Sequence, residues 1–350
     1  MTYSWPQQTL RPADANARAW GDSWRGSVAE RERVTLPAAR GWGGTPWEGT
    51  GRQWYSRTST ADISWNTVCW SPELRIFCAV SQNNRAQTSP DGITWTSRTF
   101  ALGNHRSVCW SPELRLFCAV SANAESITSP DGITWTSRTR PANNQWRSVC
   151  WSPELRLFCA VSNTGTSNRV MTSPDGITWT SRTSAADNDW FSVCWSPELR
   201  LFCAVSPSGT GNRVMTSPDG ITWTTRTPAA DNNWWSVCWS PELRLFCAVA
   251  GSGTGNRVMT SPDGITWSLR TSAADNYWNA VCWSPELRLF CAVSLDGTGN
   301  RVMTSPDGIT WTSRTSAADN NWWSVCWSPE LRLFCAVSDS GTGNRVMTSP

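Results

Sequence analysis

An all-β ring of seven blades, four antiparallel strands in each, closed by strand exchange between the termini, is the fold class this sequence predicts. Three observations predict it. The string Val-Cys-Trp-Ser-Pro-Glu-Leu-Arg-(Leu/Ile)-Phe-Cys-Ala-Val occurs seven times, with its tryptophan at Trp70, Trp110, Trp151, Trp195, Trp239, Trp283 and Trp327. The string Ser-Pro-Asp-Gly-Ile-Thr-Trp occurs six times, ending at Trp95, Trp135, Trp179, Trp223, Trp267 and Trp311. The unit they define recurs every 40 to 44 residues and reads as short strands separated by turn signals, with no segment of helical period and length. Four strands per such repeat is the pattern of a seven-bladed β-propeller.

The copy that begins at Trp234 justifies each element in turn. Its first strand runs from Trp234 to Trp239, and Ser240-Pro241-Glu242-Leu243 turns the chain. The second strand, Leu245 to Val249, is rich in residues that fit a pleated, half-buried surface. A loop, Gly251 to Asn256, leads to a third strand, Arg257 to Thr260. Ser261-Pro262-Asp263-Gly264 then turns tightly into a fourth strand, Ile265 to Thr271. Proline presets φ at the first turn position, aspartate caps the turn, and glycine takes the positive φ that follows.

Closure is expected from the two ends. Ser349-Pro350 lies inside the turn between a third and a fourth strand. The fourth strand missing there is supplied by Gly51-Arg52-Gln53-Trp54-Tyr55-Ser56-Arg57-Thr58, in the register of Ile-Thr-Trp-Thr-Ser-Arg-Thr. Gln53–Arg57 is therefore expected to pair with Arg345–Thr348 in one mixed blade, leaving no open sheet edge. The domain division is residues 1–50, a non-repeat N-terminal arm, and residues 51–350, the propeller. The arm mixes Pro, Gly, Arg and Trp and has one candidate short helix near Ser27–Arg33.

The Ser-Pro-Asp-Gly-Ile-Thr-Trp turns resemble Asp-box (BNR-type) repeats, whose pattern is Ser-x-Asp-x-Gly-x-Thr-Trp, with one residue fewer between aspartate and glycine. The hairpin followed by this turn is also similar to uncharacterised bacterial and viral propeller repeats. The resemblance covers residues 51–350 and implies a propeller. It also implies that the box is a structural turn away from any active site, so it carries no catalytic residue across.

Composition narrows the function classes. With 39% hydrophobic and 16% charged residues the chain is globular rather than disordered. No stretch is long and apolar enough for membrane insertion, and no basic n-region with an apolar core marks a secretory signal. A net charge of +3 provides no strong field for nucleic acid. All 30 basic residues are arginine, and His105 is the single histidine. General acid–base chemistry leans on histidine, lysine or paired carboxylates in unique positions, so the expectation is that the protein is not an enzyme and has no catalytic residues. No metal spacing and no cofactor motif is present either.

The 27 tryptophans fall into sets. Fourteen lie in the two repeated strings (Trp54 included) and are assigned to packing between blades, each aromatic burying about 150–250 Å². Six begin first strands: Trp65, Trp146, Trp190, Trp234, Trp278 and Trp322, with His105 in that slot in the second repeat. They adjoin the polar Ala-Ala-Asp-Asn loop; one reading is that they cap the blade edge, and the other, carried as the binding set, is that they stack on a sugar or a partner's apolar surface on the face of the longer and more variable loops. Trp235 and Trp323 follow two of them directly. Trp5, Trp20, Trp24, Trp42 and Trp47 belong to the arm, where six arginines accompany them as interface anchors in assembly.

Each hairpin carries Cys-x8-Cys, such as Cys238 and Cys247. The pair faces directly across two strands if the turn is Pro-Glu-Leu-Arg, and reduced, small apolar packing is the favoured state. The arginines are read as solvated surface pairs, and the Asp-Asn pairs at Asp187, Asp231, Asp275 and Asp319 as turn formers.

The first expectation for function is a structural or interaction propeller, a virion or cell-surface component that docks on a protein or on its own copies through the arm and the loop face. A multivalent lectin with one tryptophan-lined glycan site per blade is the alternative. A sialidase-like hydrolase is the weakest, since it would need a tyrosine nucleophile beside an arginine cluster, and Tyr3, Tyr55 and Tyr277 have no such setting.

Overall fold

A computed structural model of the chain describes residues 50–100, 103–123 and 125–350. The Ser27–Arg33 helix and the assembly set Trp5, Trp20, Trp24, Trp42 and Trp47 lie outside the described residues. Those described form seven four-stranded antiparallel sheets and no helix. In six blades the four strands follow one another in chain order. The blade at Trp234 is typical: Trp234–Ser240, Leu245–Ala250, Val258–Ser261 and Ser268–Arg270. First strands of successive blades are neighbours all the way round, and the last, Trp322–Ser328, returns to the first, Trp65–Ser71. The seventh blade is completed by Tyr55–Arg57, which pairs with Val346–Ser349 in the register Tyr55↔Thr348, Ser56↔Met347, Arg57↔Val346. The ring is closed by strand exchange, as the two ends of the repeat require.

Local chemistry explains why each string forms its turn. In the hairpin, Ser240 Oγ accepts from Leu243 N at 3.2 Å, and Arg244 N donates to Pro241 O at 3.3 Å. Arg244 sits at φ 49°, and so, within a few degrees, does the equivalent arginine of every blade. In the second turn, Ser261 Oγ accepts from Gly264 N at 2.8 Å while Asp263 Oδ1 accepts from Ile265 N and Thr266 N, each at 2.8 Å. Partial burial opposes ionisation of Asp263, but the Thr266 and Ile265 amides and the Ser261 hydroxyl outweigh it and lower its pKa. Because these bonds hold Ile265 and Thr266 in the turn, the fourth strand starts at Ser268 and not at Ile265. The outer strand is thus shorter than its sequence pattern suggests.

Packing lies between blades. Cys203, Val205 and Val214 of one blade meet Trp234, Val237, Trp239 and Phe246 of the next in one buried cluster, and the same arrangement recurs round the ring. Polar stitches cross the same interfaces. Trp239 Nε1 donates to Glu198 Oε2 of the preceding blade at 2.6 Å, and Trp283 does the same to Glu242. Val237 N donates to Ser192 Oγ of the preceding blade at 3.1 Å, an acceptor for an amide beside the bulge in its own ladder. The cysteines of each hairpin face one another, as with Cys238↔Cys247, and are free thiols. Burial raises the Cys238 pKa, and the neighbouring Cys247 raises it further.

Candidate functional site

The loops that join blades are built by the Asp-Asn pair, and they do more than turn. Asp231 Oδ1 accepts from Gly211 N at 2.9 Å and lies 3.6 Å from Arg213 Nε, both in the blade that precedes it. Asn232 Nδ2 donates to Asn256 O at 2.9 Å, in the blade that follows. Asp187 with Asn188, Asp275 with Asn276 and Asp319 with Asn320 repeat this staple. The reading of these residues as simple turn formers is corrected accordingly. So is the reading of the Asn-Arg-Val arginines as solvated, though not of the exposed hairpin arginines such as Arg244: the Arg213 side chain is only 15% exposed and its NH1 donates to Pro207 O at 2.6 Å. A guanidinium with five fixed donors satisfies several loop carbonyls at once, which a lysine could not do.

The six strand-start rings do not form a ligand surface. Trp65, Trp146, Trp190, Trp234, Trp278 and Trp322 are all 0% exposed. In five of them the indole N–H is turned inward to a carbonyl four residues earlier, as Trp234 Nε1 is to Ala230 O at 2.9 Å. The expectation that they bind is corrected: a large ring in that slot gains more by filling the space between blades than by standing in water. His105 fills the slot in the second blade. It is also fully buried and packs edge-on against Phe100 at 4.7 Å. Burial lowers its pKa to about 4, against an opposing pull from the backbone of Glu125 and Gly103.

One residue further on, the chain reaches the axis. A cavity there, with about 140 Å³ of free volume, is lined by the beginnings of all seven first strands. The position just after the strand-start residue is Asn66, Arg106, Arg147, Phe191, Trp235, Asn279 and Trp323 in ring order. Below it a ring of small residues, such as Ser148 and Ser192, narrows the wall. The asparagines are spent on structure: Asn66 Nδ2 donates to His105 O at 2.6 Å, and Asn279 Nδ2 to Trp323 O at 2.7 Å.

The rest of the rim is a connected arc. Arg147 is held by Asn163 Oδ1 at 2.9 Å, and its guanidinium lies 4.8 Å from the centre of the Phe191 ring. Phe191 meets Trp235 edge-on at 4.4 Å, and Trp235 leans on Tyr277 at 5.4 Å. Gly251 makes room for that contact, since a Cβ there would come within 2.7 Å of Trp235 Nε1 and 2.8 Å of Tyr277. Among the described residues Arg106 Nε and Trp323 Nε1 are buried donors with no partner. Among the described residues neither Arg106 nor Arg147 makes a salt bridge, whereas Arg169, Arg213, Arg257, Arg301 and Arg345 all do. Burial, and after it Arg106 as a neighbouring cation, lower the pKa of Arg147 to about 10 against the opposing pull of Asp189. No cluster of three His, Cys, Asp or Glu side chains suited to a metal is found among the described residues.

No family model matches the chain, and no curated protein does either. Solved structures do match, over 85% of the chain. They include streptogramin B lyase (TM-score 0.72, 7% identity, 97% of that chain covered) and virginiamycin B lyase from Staphylococcus aureus (0.71, 8%, 97%). YCF48 bound to D1 peptide is a third (0.63, 15%, 94%). At these identities the likeness is one of fold, and it supports the propeller but not membership of the Asp-box repeats. It also corrects the expectation that the chain is not an enzyme. Two proteins named as lyases share this fold, so the ring itself does not exclude catalysis.

The strand-start residues singled out from the sequence are buried, and the residues that line the axial cavity stand one position further on. The missed signal was in view: among blades that are otherwise copies, this one position holds five of its seven residues as Arg, Phe or Trp.

Proposed function

We propose that the chain is a partner-binding propeller whose site is the axial mouth, lined by Arg106, Arg147, Phe191, Trp235 and Trp323 on the side of the long loops. The observation that carries this reading is the divergence of the mouth position within blades whose packing residues barely vary. Seven copies of one packing problem hold the buried positions alike, and a position freed from that problem diversifies where recognition is built. Arginine and tryptophan are also the side chains most enriched at interface anchors. A protein segment is the partner proposed, because a structural neighbour is known bound to a peptide and because the free volume of about 140 Å³ admits one ring-sized side chain. The glycan reading loses its support with the burial of its per-blade tryptophans.

The test is selection of a random peptide library on the full chain, followed by binding of the selected peptides to Trp235→Ser and Phe191→Ser variants. Loss of binding by at least tenfold in either variant is the expected result. Binding unchanged in both, yet abolished by substitutions in the Pro-Glu-Leu-Arg turns of the opposite side, would overturn the proposal.

A further inference from the structure

The mouth is not evenly lined, and its two sides ask for different chemistry. Arg106 and Arg147 come from adjacent blades, while Phe191, Trp235 and Trp323 hold most of the remaining arc. Two neighbouring guanidinium groups repel each other, and each is partly withdrawn from water. Elsewhere on this side of the ring the chain brings an aspartate to five loop arginines, as Asp231 to Arg213 and Asp275 to Arg257. At the mouth it brings none that forms an ion pair among the described residues, and Arg106 Nε is left buried without an acceptor. An unsatisfied, partly desolvated donor costs free energy that only an incoming acceptor restores. Arg147 is differently placed: Asn163 and the Phe191 ring fix its orientation, and Asp189, the aspartate that acts on it, forms its ion pair with Arg169 instead.

Resting on the reading of the mouth as the binding site, we infer that its ligand is an extended protein segment carrying an acidic side chain next to an aromatic one. The carboxylate sits between Arg106 and Arg147, where charge-assisted bonds from a planar fork are strong and directional. The ring enters beside Trp235 and Trp323, into a volume that holds one such side chain. Basic segments are refused by the same two cations, so the site selects by repulsion as well as by attraction.

Four amidated decapeptides on a Gly/Ser background, carrying a central Asp-Phe, Lys-Phe, Asp-Ser or Lys-Ser, test this by fluorescence anisotropy with the full chain. The expected order places Asp-Phe first, at least tenfold tighter than either Asp-Ser or Lys-Phe. The Asp-Phe preference over Lys-Phe should collapse in an Arg106→Gln, Arg147→Gln double variant, with the circular dichroism of the ring unchanged. Should that variant misfold, the salt dependence of Asp-Phe binding to the native chain serves in its place, and affinity must fall as salt rises. Equal binding of acidic and basic peptides, still lost in Trp235→Ser, overturns the inferred polarity while leaving the mouth as the site. Asp-Phe binding that survives Trp235→Ser overturns the mouth itself, and no measurable Asp-Phe binding overturns the inference. A free-acid peptide ending in Phe that outbinds amidated Asp-Phe would assign the carboxylate to a chain terminus and overturn the side-chain assignment.

Discussion

His105 shows what a single departure from the repeat can do. Six blades place an indole between neighbours at this slot, and the second places a fully buried imidazole. Burial disfavours the charged ring and brings its pKa from 6.5 to about 4. The depressed value means that the unfolded chain takes up the proton first as pH falls. The stability contributed by the neutral ring is therefore complete above the unfolded pKa and is lost progressively between about pH 6.5 and pH 4. The loss expected at the acid end is about 3 kcal/mol. It should be read as the difference between the native chain and a His105→Phe variant in urea unfolding at pH 7 and pH 4. Groups common to both proteins, the turn aspartates among them, cancel in that difference. Parallel acid limbs for the two proteins would refute the account.

The turns were legible at the scale of the element because each has a composition that only a turn explains. Ser-Pro-Asp-Gly announces a capped reversal, and the hairpin follows from the facing cysteines. The left-handed arginine of the hairpin was not legible, since no glycine marks it. Nor were the inter-blade staples: Ala-Asp-Asn reads as a turn in any sequence, and its partners lie 20 and 24 residues away on two different blades. The binding set failed for a related reason. Alternation along a strand says which residues share a face, but a bulge between Trp234 and Ser236 shifts the register at the very point where the strand meets the axis. Trp234 is carried inward to the core and Trp235 is left at the mouth. The staples make a sharp prediction. Asn232→Ala leaves Asn256 O and Oδ1 without their shared donor and removes the polar link between that loop and the preceding one. A cost of about 1–2 kcal/mol is expected. Hydrogen exchange should quicken in the loop at residues 252–257 and stay unchanged in the first strand, Trp234–Ser240. Uniform quickening through the blade would mean that the asparagine supports packing and not the loop.

Whether the seam is special decides how the whole ring should be regarded. At every other turn of this kind the serine hydroxyl accepts from the glycine amide at 2.8 Å, as Ser261 does from Gly264. At the seam Ser349 Oγ accepts from Gly51 N at 2.6 Å, and Gly51 takes φ 76° against 72° for Gly264. Arg57 Nε reaches Thr348 Oγ1 at 2.8 Å, as Arg226 reaches Thr216 at 2.9 Å. Trp54 lies over Phe334 at 6.2 Å, the spacing of Trp223 to Phe202. Asp62 joins Gly343 N and Arg345 across the seam just as Asp231 joins Gly211 N and Arg213 within the chain. The aspartate of the turn is replaced by Thr50, which stands one residue before Gly51, and the isoleucine and threonine after the glycine by Arg52 and Gln53. The seam blade thus keeps the geometry of the other six, with its tightest turn built from two stretches far apart in the sequence, Ser349-Pro350 and Thr50-Gly51. It follows that the two stretches can be joined and the ring opened elsewhere. A circular permutant of residues 50–350, with Pro350 joined to position 50, Thr50→Asp restoring the turn, and new ends in the exposed loop between Thr254 and Gly255, should fold to the same ring. Its denaturant midpoint should match or exceed that of the same residues in native order, because the turn now holds two paired strands in one covalent hairpin. Deleting residues 1–58 instead exposes the edge of Val346–Ser349 together with the face of Phe334, and should give a chain that self-associates, as an unprotected edge does. A permutant that will not fold would show that the break at this turn carries something the other six turns lack.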